Sequence, residues 1–164
     1  MKRKLALGLC TSFLALSLVG CSSPKEEAPE EKAPEKEVAQ ENEGAMTDGT
    51  YEVETKDFDD NGGKAKVVVT IKDGKITEAK YNEFTEKGDK REDEGYNEMM
   101  KEKSGTNPAE YEVEIEKQVM DVQSAEIDGV TGATGSSSKA KTLFQKALDN
   151  AAEGKSEKEL IEIK

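Results

Sequence analysis

Histidine is absent from the 164 residues, cysteine occurs only at Cys10 and Cys21, and eight residues are aromatic. Cys10 lies inside what reads as an export signal and Cys21 at its end, so a mature folded domain has no thiol of its own. That inventory excludes thiol redox chemistry, Cys/His nucleophile pairs and His- or Cys-ligated metal sites. A domain so poor in reactive groups takes part in redox chemistry only with a borrowed cofactor.

Residues 1–20 read as the signal. Lys2-Arg3-Lys4 is a basic start, and Leu5 to Val19 is an apolar run broken only by small or hydroxyl residues. Small residues before a cut are expected of secretory signals. The ending Leu18-Val19-Gly20-Cys21 resembles a bacterial lipobox, in which the cysteine is lipidated and becomes the mature N-terminus. The competing reading, a transmembrane helix, needs about 20 apolar residues, and this run is shorter. The expectation is therefore a lipid (palmitate-type) anchor at Cys21, holding the protein on the extracellular face of the cell membrane without spanning it.

Residues 21–47 comprise Cys21 and an acidic Pro/Glu linker. Pro24, Pro29 and Pro34 are evenly spaced among eight Glu and three Lys. Such a segment buries too little apolar surface to offset its ordering entropy and reads as a disordered spacer. At ~3.1 Å per residue it reaches about 75 Å from the lipid. Cleavage after Gly20 leaves 21 basic against 36 acidic residues, a formal charge of −15. Nucleic acid is excluded as a partner, because its phosphates repel such a chain, as is an electrostatic grip on anionic headgroups.

The folded part is expected over residues 48–154, enough for one core. Thr50 to Thr55 alternates as a first strand, and Ala65 to Ile71 is dense in β-branched residues. Asp73-Gly74 is a two-residue hairpin turn leading into a strand over Ile76 to Phe84. Asp89 to Lys103 follows as a charged helix with Tyr96, Met99 and Met100 as its apolar stripe. Asn107-Pro108 starts a helix over Pro108 to Val122, and Ala125 to Ile127 reads as a short strand. Ala140, Leu143, Phe144, Ala147, Leu148 and Ala151 recur at helical spacing behind a Ser-capped start, with Gly154 as C-cap. Residues 155–164 read as a charged tail with at most a short helical turn. Strands first and helices later predict an α+β fold, a small antiparallel sheet meander with helices packed on one face.

The glycine-rich segment Asp128-Gly129-Val130-Thr131-Gly132-Ala133-Thr134 is the one concentration of chemistry. It lacks the GK[ST] ending of a P-loop and the G-x-G-x-x-G of dinucleotide folds. A Gly/Thr/Ser turn before a helix suits an anion, whose charge meets backbone N–H groups and the positive end of the helix. It suits an ordinary helix cap equally well.

The order of these residues adds to that reading. Asp128 to Thr134 resembles the flavinylation motif of the FMN-binding domain family, D-x-x-[ST]-G-A-[ST]. The resemblance extends through Asp48-Gly49-Thr50-Tyr51, the Ile71 to Ile76 hairpin, the Tyr96–Met100–Gly105–Pro108 series and the last helix, covering roughly Asp48 to Ala152. It implies FMN covalently esterified through its phosphate to Thr134, transferred from FAD by a separate FAD:protein FMN transferase. Asp128 matches the opening acid, which the resemblance assigns to transferase recognition and loop organisation. Thr131, Gly132 and Ala133 match positions whose small size lets enzyme and phosphate approach. The implied function is that of a flavinylated lipoprotein of a Gram-positive surface, a carrier rather than an enzyme, taking electrons from a membrane donor (a dehydrogenase or quinol side) to an extracellular acceptor. Gly63 departs from the family, whose members often carry an aromatic there; Tyr51, Phe58, Tyr81 and Phe84 are its possible substitutes at the flavin ring.

Two other functions fit the same residues. One is a surface lipoprotein that binds an anionic or phosphorylated ligand reversibly in the loop, without catalysis. The other is an interaction protein, or a signal whose Phe13 to Gly20 octapeptide resembles hydrophobic peptide pheromones; activity of the synthetic octapeptide on neighbouring cells separates it from the rest.

Overall fold

A computed structural model describes residues 46–60 and 62–163. The expected signal, Cys21 and nearly all of the linker lie outside the described residues. Five strands form one sheet: β1 (Gly49–Thr55), β2 (Lys64–Lys72), β3 (Lys75–Thr85), β4 (Gly88–Asp89) and β5 (Glu159–Ile161), in the order β4-β3-β2-β1-β5. A 3-10 turn (Lys90–Glu92) precedes three helices, α1 (Glu94–Ser104), α2 (Pro108–Val122) and α3 (Thr134–Glu153).

Strand alternation decides which face is buried. In β2, Ala65, Val67, Val69 and Ile71 point inward while Lys66 and Thr70 do not. The β2–β3 hairpin closes through Asp73 and Gly74 at φ 53° and 70°, the positive pair a tight hairpin turn requires. Against this apolar face lie α2, over β3, and α3, over β1 and β2. Ile115 and Val119 of α2 and Leu143, Phe144 and Ala147 of α3 are fully buried there. The other face is solvated and carries cross-strand ion pairs such as Lys64–Glu54 at 2.8 Å, each worth under about 1 kcal/mol at such exposure. The fold is thus α+β, with its helices on one face.

Three segments differ from the sequence-based expectation. Residues 159–161, read as charged tail, form β5, which pairs parallel with β1 because Ile161 and Ile163 pack on the core; the sheet is therefore mixed. Ala125 to Ile127 is irregular, its two apolar side chains buried without a strand partner. The charged helix over Asp89 to Lys103 begins only at Glu94, capped by Asp93. Asp89 is in β4, and the 3-10 turn after it aims Lys90 and Arg91 at carboxylates of β3 and α2.

Those carboxylates solve the problem of an open strand edge. Among the described residues, the outer edge of β3 has no strand partner beyond β4, and buried N–H groups need acceptors. Side chains of α2 and of Gln123, the residue that ends it, supply them. Glu112 accepts from Glu83 N at 2.9 Å, Glu116 from Tyr81 N at 3.1 Å, and Gln123 from Ile76 N at 2.9 Å. Arg91 then ties Glu112 (2.7 Å), Glu116 (2.9 Å) and the Tyr81 carbonyl oxygen (3.0 Å) together.

Burial pushes the Glu112 carboxyl from its ordinary 4.5 up to about 7, outweighing the pull of Arg91 and the Glu83 amide. Its folded value lies above its unfolded one, so the stability it contributes falls as pH rises from about 4.5 to 7. Glu83 has the opposite sign. Burial raises it, but Lys90, the Tyr81 hydroxyl and Lys139 together outweigh burial and hold it below the usual range, so its contribution is lost as pH falls. Urea unfolding of Glu112→Gln should therefore show a smaller fall in stability between pH 5 and pH 8 than the parent chain shows; parallel profiles would refute this. Glu112→Ala, which removes one of Arg91's two carboxylates and leaves the buried Glu83 N–H without its acceptor, should cost about 2 kcal/mol.

Candidate functional site

The segment Asp128 to Thr134 bridges the end of α2 and the start of α3, and hydrogen bonds from both sides fix it. Asp128 N donates to Gln118 Oε1 of α2 at 2.7 Å. Ala133 N donates to the Val130 carbonyl oxygen at 2.9 Å, closing a turn over residues 130–133. Ser137 fastens that turn to the helix: its hydroxyl accepts from Val130 N and donates to the Ala133 carbonyl oxygen, each at 2.9 Å.

The motif residues separate into two groups. Gly132 has φ 81°, and a Cβ there would stand 2.2 Å from the Ser104 carbonyl oxygen at the end of α1. Ala133 is buried in the core. Their small size therefore serves close packing of the loop on the domain, while Gly132 itself stays exposed. Asp128, Thr131 and Thr134 are exposed. The structure thus brings the two hydroxyls and the acid to one exposed loop.

Thr134 is the first residue of α3, so the expected Ser-capped start is corrected. The cap position is Ala133, which makes no side-chain cap, and Ser136 to Ser138 lie within the helix. The other two helices are capped by Asp93 and Asn107 and carry an acid in their first turn. α3 has neither, although it is the longest helix. Its first-turn N–H groups and positive end are left to solvent or to an anion brought from outside.

Behind this turn lies a buried polar cluster that the sequence reading missed. Tyr81 Oη is 2.6 Å from Glu83 Oε1 and 3.2 Å from the Ser136 carbonyl oxygen. Glu83 Oε2 accepts from Lys90 Nζ at 2.8 Å and from the Tyr111 hydroxyl at 3.3 Å. Burial and the Glu83 charge push both tyrosine hydroxyls well above their ordinary range, so they remain donors. One signal was available: Glu83 continues the inward series Ala79, Tyr81, a charge where alternation demands an apolar side chain. Beside the cluster, Lys139 of α3 holds Asp59 of the β1–β2 loop at 2.6 Å.

Of the aromatics named as substitutes at position 63, Tyr51 and Tyr81 are core residues, Phe84 is half-buried, and Phe58 is 46% exposed on the β1–β2 loop. Clefts of about 470 and 520 Å³ lie elsewhere, one lined by Lys141, Gln145 and Ile161 among others, the second by the 154–159 turn. Neither is lined by the loop, whose chemistry sits on the surface. Among the described residues no group of three or more His, Cys, Asp or Glu is placed to hold a metal, and no helix is long and apolar enough to cross a membrane.

The pattern that defines the FMN-binding domain family matches residues 61–149. A 15 kDa lipoprotein of Treponema pallidum is 32% identical over 115 residues, covering 69% of this chain and 82% of that protein. A Clostridium perfringens protein of known crystal structure is 51% identical and superimposes with a TM-score of 0.71, over 73% of this chain and 99% of that one.

Gly132→Ala should lower stability by about 2 kcal/mol or more in thermal unfolding, from its left-handed backbone and the Ser104 clash together. Gly129→Ala, whose added methyl meets nothing within 4 Å, should stay within about 0.5 kcal/mol of the parent. Equal effects would contradict the packing role given to Gly132.

Proposed function

The chain belongs to the FMN-binding domain family, and from that premise we propose that it is a lipid-anchored extracellular electron carrier with FMN covalently held as a phosphoester on Thr134. The observation that carries this reading is an exposed hydroxyl on the first residue of a 20-residue helix whose N-terminus has no side-chain cap and no acid in its first turn. A phosphate attached there accepts from the first-turn N–H groups and supplies the charge the helix lacks. The residues present therefore fit the group.

FMN, when bound, supplies reversible one- and two-electron chemistry that no side chain of this domain offers. The chain's own residues do the holding. Thr134 provides the ester oxygen, Gly132 and Ser137 fix the loop that presents it, and Asp128, exposed at the loop's start, is left for recognition by an FAD:protein FMN transferase. Thr131, also exposed, stands beside the attachment point. A hydroxyl exposed on the surface gives weak retention of a free cofactor, and a covalent bond removes that loss. The carrier needs no general acid or base, in keeping with a chain that lacks histidine.

The 15 kDa lipoprotein relative and the Leu18-Val19-Gly20-Cys21 run support a lipid anchor at Cys21 on the outer face of the cell membrane. A membrane donor and an extracellular acceptor are the partners this placement calls for. The tether raises the effective concentration of the carrier near both.

Expressed with the transferase, the chain should be yellow, fluoresce on a denaturing gel, and exceed its polypeptide mass by one FMN less water. The adduct should map to the peptide containing Thr134, and Thr134→Val should abolish it while Thr131→Val keeps it. A colour lost on denaturation would favour the second reading, reversible binding of an anionic ligand in the same loop; a colourless chain of unmodified mass would sink the flavin reading.

A further inference from the structure

Lys90 is a buried ammonium with too few partners. Its side chain is 10% exposed, yet among the described residues it donates one hydrogen bond, to Glu83 Oε2 at 2.8 Å. An ammonium carries three donors, and a charge taken from water without acceptors is unfavourable. The other nearby groups are the Tyr96 ring, 5.8 Å from Nζ, and the Asp59 carboxylate, which attracts the ammonium without a hydrogen bond between them.

Gly63 explains how the ammonium comes to be there. A Cβ at this buried position would stand 2.9 Å from Lys90 Nζ and 3.2 Å from Asp59 Oδ2. The backbone at Gly63 is not left-handed, so its conformation does not require glycine. What glycine provides is space, and Lys90 fills it. The residue that departs from the family's aromatic and the under-partnered ammonium are thus one feature.

The site lies beside the attachment turn. Lys90 meets Glu83, Glu83 meets Tyr81, and Tyr81 reaches the carbonyl of Ser136, two residues along α3 from Thr134. Lys139, one and a half turns along the same helix, closes the other side through Asp59.

We propose that Lys90, admitted by Gly63, contacts the isoalloxazine ring of the flavin carried on Thr134, its unspent donors facing the ring edge that bears N1 and the C2 oxygen. The inference rests on the flavin reading above. When an external donor delivers two electrons, the ring takes one proton from water at N5 and keeps one negative charge on the N1–C2 oxygen edge. An ammonium at that edge favours the reduced form and raises the midpoint potential. Lys90 is a contact to the cofactor, in place of an aromatic stacked on it.

The test is a dithionite titration of the full flavinylated chain under argon. Because Lys90→Met alone strands Glu83 in the core, Lys90→Met is made together with Glu83→Gln and compared with Glu83→Gln alone. The double variant should be the harder to reduce, with about a tenfold lower ratio of reduced to oxidised flavin at a fixed poise, equal to about 30 mV for a two-electron couple. Lys90→Arg should stay near the parent chain. Gly63→Ala, which pushes the ammonium aside, should shift the potential in the same direction as the double variant. Unchanged potentials in covalently flavinylated variants would overturn this inference and leave the carrier function standing. A chain that takes up no flavin would overturn the function and this inference with it.

Discussion

An unpaired strand edge inside a small domain is the constraint from which the architecture follows. β3 is the longest strand, and β4 covers only its last residues. Rather than another strand, α2 lies along the remaining edge, and its Glu112 and Glu116, with Gln123 just past its end, accept from the amides. Carboxylates in that position need a counter-charge, which Arg91 brings from the 3-10 turn. The turn then places the neighbouring Lys90 on the core side, against Glu83. With β3 and α2 locked, Tyr81 comes up under the first turn of α3, and the Thr134 loop has a rigid floor.

The loop divides labour within one short motif. Residues that look permissive in sequence, Gly132 and Ala133, are the most constrained: one fits against a carbonyl, the other into the core. Those that look like binding groups, Asp128, Thr131 and Thr134, are left on the outside. Chemistry by a modifying enzyme needs this arrangement, because the hydroxyl must be reachable while the backbone that presents it stays still. Ser137 contributes most to that stillness, spending its hydroxyl within the loop instead of on the helix cap.

Most of the fold was legible in local pattern. The β2–β3 hairpin declared itself through β-branched alternation and Asp73-Gly74, α2 through Asn107-Pro108, and α3 through its apolar repeat and Gly154. What escaped was nonlocal. β5 has three residues and exists because Ile161 and Ile163 find the core beside β1, which no window around residue 160 contains. The start of α3 was misjudged because serines are good caps in general, whereas here Ser137 is occupied by Val130. The Thr134 loop was readable from residue order; the cluster of Tyr81, Glu83, Lys90 and Tyr111 was not, since its members come from three separated segments.

One backbone contact fixes where the site faces. Thr47, at the point where the chain enters the domain, bonds through its N–H to the Ala151 carbonyl oxygen near the far end of α3. Thr134 begins that helix, and at 1.5 Å per residue the two lie about 25 Å apart along its axis. The helix therefore works as a spar with the Thr47 contact near one end and the Thr134 hydroxyl at the other. Whatever is fastened to Thr134 stands at the opposite end of α3 from the contact at Thr47.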